Sequence, residues 1–511
     1  MKKILFFNFD GTNNEPADAM QDRQAGGKTE DDNITNVLKF HLLLGGTLKE
    51  ENGQTALGSG SQTFYYNGIG TYGNYFQRLL NAGLAKESKD VATILNMAMA
   101  DFKNNFKDDI DYVVLTGFSR GAALARRFAA IINSDVKRPI VIEGVFDTVA
   151  SIGKLDLKKE NRPKTEVVFE NRTLPSNVLK ALHLVSLDDK RSAFQPTLMN
   201  KDERVCEIWF AGAHSDVGGG YYHDGLSDNA LRFFLDWFEE CDKLDIQFKS
   251  PKSIAYDQIF EPGSALKIDA DDVQIDPNPL GVNHEQQRLP LISHITLANR
   301  ECCVIKEDKI DKRTLPKVHW TVADRIRRDR NYRPKSLHNR NHKLVSQNGA
   351  EIEFSGLSEH KLISRSDMRI PTKEGIETRI YAYFKTNQTG IFLDKNKRYT
   401  IEVIDPEKCK WRDGSIKPVD GNGWNRDDIK WGLRELPIQM AEPFRRVTEE
   451  GVNWFTLCGC IGTDDDDAFK IGNQLTNYTP DKSGEFCAFA NDLNGYYGNN
   501  SGHLKVRIRE E

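Results

Sequence analysis

No stretch of this chain stays apolar long enough to cross a membrane as a helix, and the chain as a whole has no excess of basic residues. Its 70 Lys and Arg stand against 75 Asp and Glu, giving a net charge of -5 and a pI near 6.2, so no nucleic-acid partner is expected. Cysteine is sparse. The eight, at positions 206, 241, 302, 303, 409, 458, 460 and 487, lack the paired spacing of a zinc site and read as reduced, mostly buried thiols. The opening MKKILFF begins like a secretory leader, but Asn8 and Asp10 interrupt the apolar run before an h-region is complete. Export is therefore expected only by a route that needs no cleaved signal. What is present, 39% hydrophobic and 28% charged residues over 511 positions, suits a soluble globular protein with two or more cores.

The most informative stretch is Asp111 to Ala130, DYVVLTGFSRGAALARRFAA. A buried-strand pattern (Tyr112, Val113, Val114, Leu115) runs into Gly117-Phe118-Ser119-Arg120-Gly121. A helical pattern with apolar Ala123, Leu124, Phe128 and Ile131 follows at once. Strand, sharp turn and helix with a serine at the apex is a nucleophile elbow. The flanking glycines let the strained turn close, and the helix N-terminus faces the hydroxyl.

Around the elbow the chain alternates strands and helices. Lys3 to Phe9 reads as a first buried strand, closed by Asp10-Gly11-Thr12. Residues 13–35 read as a polar loop, Asn33 to Leu44 as a helix, and Phe64 to Gly70 as a strand. Tyr72 to Phe106 carries helical periodicity. Three further strands are expected at Pro139 to Phe146, Ala181 to Leu187 and Val205 to Ala211, the last clear one, and a helix at Asn229 to Cys241. This order predicts an α/β-hydrolase fold, a mostly parallel sheet with flanking helices and its polar residues along one edge.

A serine nucleophile needs a base to take its proton and a carboxylate to orient that base. In chain order serine, acid, histidine, the preferred set is Ser119, Asp147 and His214. The rival uses Asp216 as acid with His284, His294 or His319. His183, inside a strand, is expected to be a core or supporting group. The oxyanion hole is expected from the amide of Arg120 and those of Asp10 and Gly11.

In this order FNFDGT, GFSRGAALAR, GVFDTVAS, SLDDKRSAFQP and WFAGAHSDVGGGY resemble one family of α/β-hydrolases. It is a domain-of-unknown-function family of bacteria and fungi that includes the phospholipase effectors of type VI secretion. VHWTVADRIRRDRNYRPKSL (Val318 to Leu337) resembles the closing segment of the same domain, so the resemblance covers residues 1–337. It implies a Ser-Asp-His esterase and, in secreted members, a phospholipase A acting on membrane glycerophospholipids. It also implies a secretion-apparatus or immunity-protein partner. Such a protein would wait in the bacterial cytoplasm and act in the periplasm or at the membrane of a target cell.

From His338 the pattern changes to alternating, turn-rich segments: EIEFSG, TRIYAYF, YTIEVID, WFTLCGC, FCAFAND and LKVRIR. They predict an all-β sandwich, with residues 338–380 as linker and leading strands and 381–511 as the module. The end of the chain resembles calcium-dependent galactose-binding bacterial lectins, most sharply at Asn491 to Gly502. Calcium favours several oxygens on a kinked loop, which Asp492, Asn499, Asn500 and the backbone of Tyr496 offer. The resemblance implies that the carbonyl of Leu393 closes this site and that a sugar is the ligand. The run Asp464 to Asp467 reads as a solvated turn. Two readings of the whole chain follow: a serine esterase or phospholipase carrying a binding module, or a carbohydrate- or partner-binding protein with an inert hydrolase domain. A soluble carboxylesterase of other substrate is a variant of the first.

Overall fold

A computed structural model describes residues 2–12, 14, 18, 32–50, 52–69, 87–150, 164–240, 244–284, 297–329, 331–345, 351–360, 368–382, 386–407, 409–413, 416–429, 441–462, 467–493 and 500–511. Among these the chain divides into two compact units, one of residues 2–326 and 331–360, the other of 327–329 and 368–511.

The first unit is built on ten strands. They are β1 (Ile4–Phe9), β3 (Thr55–Ala56), β4 (Gln62–Tyr66), β5 (Tyr112–Phe118), β6 (Val141–Phe146), β7 (Val178–Ser186), β8 (Val205–Phe210), β12 (Lys317–His319), β13 (His342–Val345) and β14 (Glu351–Phe354). Two short pairs lie outside this sheet: β2 (Asp32–Thr35) with β9 (Gly219–Tyr221), and β10 (Ile305–Lys306) with β11 (Lys309–Ile310). The sheet order is β14-β13-β12-β8-β7-β6-β5-β1-β4-β3. Every neighbouring pair from β13 to β4 is parallel, and an antiparallel strand sits at each edge.

Side chains alternate across the sheet because successive Cβ atoms point to opposite faces. Val114, Ile142 and Leu182 join one core with Phe40, from the helix Asn36–Leu43, and Phe234, from the helix Gly225–Glu239. Val113, Leu115 and Val145 join the other with Phe102, from the helix Glu87–Asn105, and Phe128, from the helix Ser119–Ile131. On the first face Phe40 meets Phe234 edge to face at 5.3 Å. On the second, Phe128 lies 5.4 and 5.7 Å from the rings of Phe7 and Phe9, so the elbow helix is anchored on β1 as well as β5. Truncating such a ring costs about 3–5 kcal/mol.

The strand order also places the site. From β1 the chain crosses to β4 on one side, then returns to β5 on the other and continues outward, so the order reverses at β1/β5. A crevice opens beyond the strand C-termini at such a point. Register aligns those ends: Phe9 pairs with Gly117, Phe118 with Phe146, Phe146 with Leu184, and Ser186 with Phe210. Asp10, Ser119, Asp147 and the turn after β8 therefore share one edge.

Two sequence expectations change here. The strand at 205–210 is not the last of the sheet, because β12, β13 and β14 continue it. EIEFSG, read as part of the all-β module, is the antiparallel edge β14 on β13, and the first unit reaches His360. Alternation alone cannot distinguish an edge strand of one sheet from the first strand of the next. Within 13–35, residues 32–35 form β2.

The second unit contains β15 (Ile376–Tyr381), β16 (Asn387–Leu393), β17 (Tyr399–Val403), β18 (Trp411–Asp413), β19 (Leu457–Ile461), β20 (Phe469–Lys470), β21 (Gln474–Tyr478), β22 (Gly484–Ala490) and β23 (Asn500–Glu510). One antiparallel sheet runs β15-β23-β17-β21, with β18 also on β23, and the other runs β16-β22-β19-β20. Ile401, Leu504 and Val506 of the first share a single core with Ile391, Leu457 and Phe486 of the second. Two sheets around one core make a sandwich.

One buried group in the first unit makes stability pH-dependent. Glu143 on β6 is fully buried, and neither carboxyl oxygen has a hydrogen-bond partner among the described residues. Burial, reinforced by the charge of Glu170, pushes its pKa up to about 8. The folded chain keeps this proton while the unfolded chain releases it above the ordinary value of about 4.5, so stability falls as pH rises from about 4.5 to about 8. Glu143→Gln is expected to flatten that slope in thermal melts taken across the window. An unchanged slope contradicts this.

Candidate active site

Ser119 is the first residue of the helix Ser119–Ile131, and its φ of 59° lies in the left-handed region. For a side chain other than glycine this strain costs about 1–3 kcal/mol and persists only where the surroundings impose it. The two glycines show how. A Cβ on Gly117 would meet Gly121 O at 2.6 Å, and one on Gly121 would meet Asp10 O at 2.2 Å. The elbow closes only because both side chains are missing. Ser119 is itself buried.

His214 and Asp147 come together. Nδ1 of His214 lies 2.5 Å from Oδ2 of Asp147, and both side chains are buried. Asp147, with φ of 40°, directly follows β6; His214 precedes the short helix Ser215–Gly218. The imidazole packs against Phe118, the residue before Ser119, with centroids 4.6 Å apart. The Val149 amide, two residues beyond the acid, donates to Ser119 O at 3.1 Å. Since Nδ1 carries the proton toward the carboxylate, Nε2 presents its lone pair. That atom is buried and has no hydrogen-bond partner among the described residues.

The carboxylate is held on its other side by Arg300, which no sequence pattern singled out. Its two terminal nitrogens donate to Asp147 Oδ1 at 2.6 Å and Oδ2 at 2.9 Å, and the Ser186 amide adds a bond of 3.0 Å. Burial alone would raise the Asp147 pKa, but the Arg300 charge and the His214 bond outweigh it and hold the group well below the usual carboxylate range. For His214 the balance goes the other way. Burial lowers its pKa despite Asp147, so the imidazole is neutral near pH 7, as a general base must be.

His183 supports the acid from behind. The Thr148 amide donates to its Nε2 at 3.0 Å, which places the ring proton on Nδ1, 2.8 Å from Glu207 Oε2. The rival pair is also assembled: His284 Nδ1 lies 2.5 Å from Asp216 Oδ1. Its ring, however, stacks on Tyr221 at 3.8 Å, whereas His214 lies against the residue preceding the nucleophile. His319 is buried in a ring cluster, with Nδ1 2.8 Å from the Thr321 hydroxyl, and burial lowers its pKa to about 3. His294 lies outside the described residues.

The oxyanion expectation is corrected in part. The Asp10 amide donates to Tyr66 O at 3.0 Å and the Gly11 amide to Asp10 Oδ1 at 2.6 Å, so both are engaged. The Asp10 carboxyl instead ties the crevice floor together by accepting from Thr35 and Tyr65. Burial pushes its pKa up to about 6 against those bonds. The Arg120 amide lies in the first turn of its helix, where no intrahelical acceptor exists. The Arg120 side chain bonds the Thr12 hydroxyl and so links elbow to loop.

In the second unit Asp492 and Asn500 meet. Asn500 Nδ2 donates to Asp492 Oδ2 at 2.9 Å and to Ala382 O at 3.2 Å, and Asn500 Oδ1 is buried with no partner among the described residues. Asn500 thus turns its amide nitrogen, not its oxygen, toward the carboxylate and the carbonyl, so a hard cation such as calcium would need this amide turned over before the three oxygens could share it. Leu393 does not belong with them. It pairs with Gly484, six residues along β22 from Ala490, about 20 Å from the Asp492 end. The carbonyl beside Asn500 is that of Ala382, which accepts from its amide nitrogen. Tyr496, Asn499 and residues 464–466 lie outside the described residues. Among the described residues no group of three or more His, Cys, Asp or Glu could hold a metal, and the seven described cysteines are free thiols.

Residues 2–135 and 133–237 match the model of the type VI secretion phospholipase effector Tle1-like catalytic domain. The first unit resembles the catalytic domain of Tle1-like effectors. No curated protein matches the chain. Among solved structures, an uncharacterized protein from Pseudomonas aeruginosa is 18% identical, with 48% of this chain aligned to 47% of that one and a TM-score of 0.30. The Tle1 effector bound to the VgrG spike of the type 6 secretion system is 23% identical over 43% of this chain and 51% of that one, TM-score 0.26. The EclA N-terminal domain, a PllA-like lectin, is 19% identical over 27% of this chain and 100% of that one, TM-score 0.20. The chain thus spans about half the length of the first and second of these. At such TM-scores the likenesses carry no argument about chemistry, and the Tle1-like match rests on the family model.

The two acid–base pairs are separable by mutation. Asp147→Asn is expected to lower kcat by on the order of 10⁴ through loss of the productive tautomer, while Asp216→Asn costs far less. The acidic limb of kcat/KM should fall below the ordinary imidazole value of about 6.5, because the folded state disfavours imidazolium. An inactive Asp216→Asn beside an active Asp147→Asn reverses the assignment.

Proposed function

We propose that the chain is a phospholipase A that hydrolyses membrane glycerophospholipids as an antibacterial effector of type VI secretion. The observation that carries this is the strained Ser119 beside the buried Asp147–His214 pair, within residues that match the Tle1-like catalytic domain. In this reading His214 Nε2 takes the proton as Ser119 Oγ attacks the ester carbonyl, and returns it to the departing alcohol. Asp147 keeps Nδ1–H in place and stabilises the imidazolium, and Arg300 keeps Asp147 ionised. The Arg120 amide at the helix N-terminus stabilises the oxyanion. Water then releases the acyl group from Ser119 by the same proton path.

The partners follow from the family. A spike protein of the secretion apparatus would carry the chain out of the cytoplasm, an immunity protein would protect the producer, and a target cell's membrane would supply the lipid. In the second unit Asp492, the Ala382 carbonyl and Asn500, with its amide turned to present the oxygen, would hold calcium. Bound there, the ion would offset the charge of a buried carboxylate and fix the loop ahead of β23 for a sugar or partner ligand.

Incubation with a mixed phospholipid extract, followed by mass spectrometry, tests the catalytic reading. Wild type is expected to yield free fatty acid and lysophospholipid. Ser119→Ala is expected to lose at least about 10⁴ of the rate with an unchanged melting temperature. Intact lipids with wild type, alongside hydrolysis of a short-chain ester, would leave an esterase of other substrate.

The calcium reading has its own test. Millimolar calcium is expected to raise the unfolding temperature of the second unit within the full chain, and Asp492→Ala to abolish the rise. No shift and no heat by calorimetry contradict the site.

A further inference from the structure

One hydrogen bond fixes one atom of an imidazole and leaves the tilt of the ring open, because the torsion about Cβ–Cγ is broad. Asp147 supplies that bond to His214. Two aromatic rings settle the tilt. Phe118 lies 4.6 Å away at 34°, and Phe194 stands edge-on at 5.0 Å and 80°. Phe118 is fixed as the last residue of β5, but Phe194 sits half-buried in the turn after β7. The mechanism above gives that turn no part.

Three contacts hold Phe194. Its carbonyl accepts from the second terminal nitrogen of Arg300 at 2.5 Å, the same guanidinium that grips Asp147. Its amide donates to Arg191 O at 2.9 Å, and the Arg191 guanidinium covers its ring at 3.5 Å. A cation over an aromatic face is attracted by the ring quadrupole. Arg191 is aimed in turn by Asp189, whose Oδ2 accepts from the guanidinium at 2.7 Å and whose Oδ1 accepts from the Arg191 amide at 2.8 Å. Asp189 Oδ2 also accepts the His214 backbone amide at 3.2 Å. The Asp189 side chain is buried; burial alone would raise its pKa, but Arg300 and Arg191 hold it below the ordinary value. One carboxylate thus anchors both the backbone that carries the imidazole and the arginine packed on the ring beside it.

We propose that Asp189, Arg191 and Phe194 are positioning residues for the base, fixing the backbone and the ring tilt of His214 as Asp147 fixes its tautomer. This role rests on His214 being the base. The charged groups around the imidazole are Asp147 and Arg300 on the acid side, Asp189 and Arg191 in this turn, and Asp216, two residues on and paired with His284. Burial is the main cause that lowers the His214 pKa; Asp147 and Asp189 oppose it, and the Arg191 charge adds to it. Removing the Arg191 cation therefore favours imidazolium and moves the acidic limb of kcat/KM to higher pH.

Hydrolysis of a short-chain p-nitrophenyl ester across pH tests this without any assumption about lipid. Phe194→Leu is expected to lower kcat on the order of ten- to a hundredfold with KM little changed, and Phe194→Tyr, which keeps the ring, to restore most of it. Arg191→Met is expected to raise the acidic limb by roughly half a pH unit or more, whereas Arg191→Lys, which keeps the cation, leaves it in place. Imidazole NMR titration of His214 in the full chain carrying Ser119→Ala gives a readout independent of turnover, with His214→Gln for assignment. There Arg191→Met should raise the His214 pKa by the same amount. Thermal melts check that each variant folds. An esterase-inactive wild type refutes the catalytic reading, and the titration still decides the role of Arg191. Unchanged His214 titration in the Arg191→Met protein overturns the proposal, as does a Phe194→Leu protein with wild-type kcat.

Discussion

The site depends on one buried carboxylate. Asp147 takes hydrogen bonds from His214, from both terminal nitrogens of Arg300 and from the Ser186 amide, all out of water. A carboxylate moved into such a setting without partners would take up a proton and lose its hold on the imidazole. With them it stays ionised, keeps the His214 tautomer and leaves Nε2 free for the nucleophile. Removing one partner of a buried charged pair costs about 3–5 kcal/mol, so Arg300→Ala endangers the fold while Arg300→Lys is the usable probe. The pleat and register of the parallel sheet make the arrangement reachable, because they bring the ends of β1, β5, β6, β7 and β8 to one edge.

Much of this was legible in the sequence, and the legible parts are local. The elbow announces itself because strand, glycines and helix are contiguous, and the close approaches of Gly117 and Gly121 explain why those positions carry no side chain. His183 was placed as a supporting group by its strand position, and it holds the acid loop through the Thr148 amide. Arg300 was invisible because it is 153 residues from its partner and sits in no motif. β12 and β13 were missed because strands of three and four residues have little periodicity to read, and β14 was read as a strand of the wrong unit. Leu393 was misplaced for a related reason: cross-strand register, not proximity in sequence, decides what lies near Asp492.

The two units pose different physical problems. The first stores strain at Ser119 and Asp147 and holds it with two apolar layers of aromatic rings, one on each face of a sheet. In the second, the buried carboxylate of Asp492 accepts from the Asn500 side chain and the Leu493 backbone N–H, and Asn500 Oδ1 is left without a partner among the described residues. A rigid site suits chemistry that needs fixed angles. An incompletely satisfied pair suits a site that a ligand completes.

The central claim is that Ser119 is an activated nucleophile. The most direct measurement is treatment of the intact chain with a fluorophosphonate, followed by peptide mapping with mass spectrometry. The account predicts one stoichiometric adduct, on Ser119, formed much more slowly in the Asp147→Asn protein because the base has lost its orientation. An unlabelled Ser119 in folded wild-type protein, or labelling at the same rate without Asp147, would contradict it.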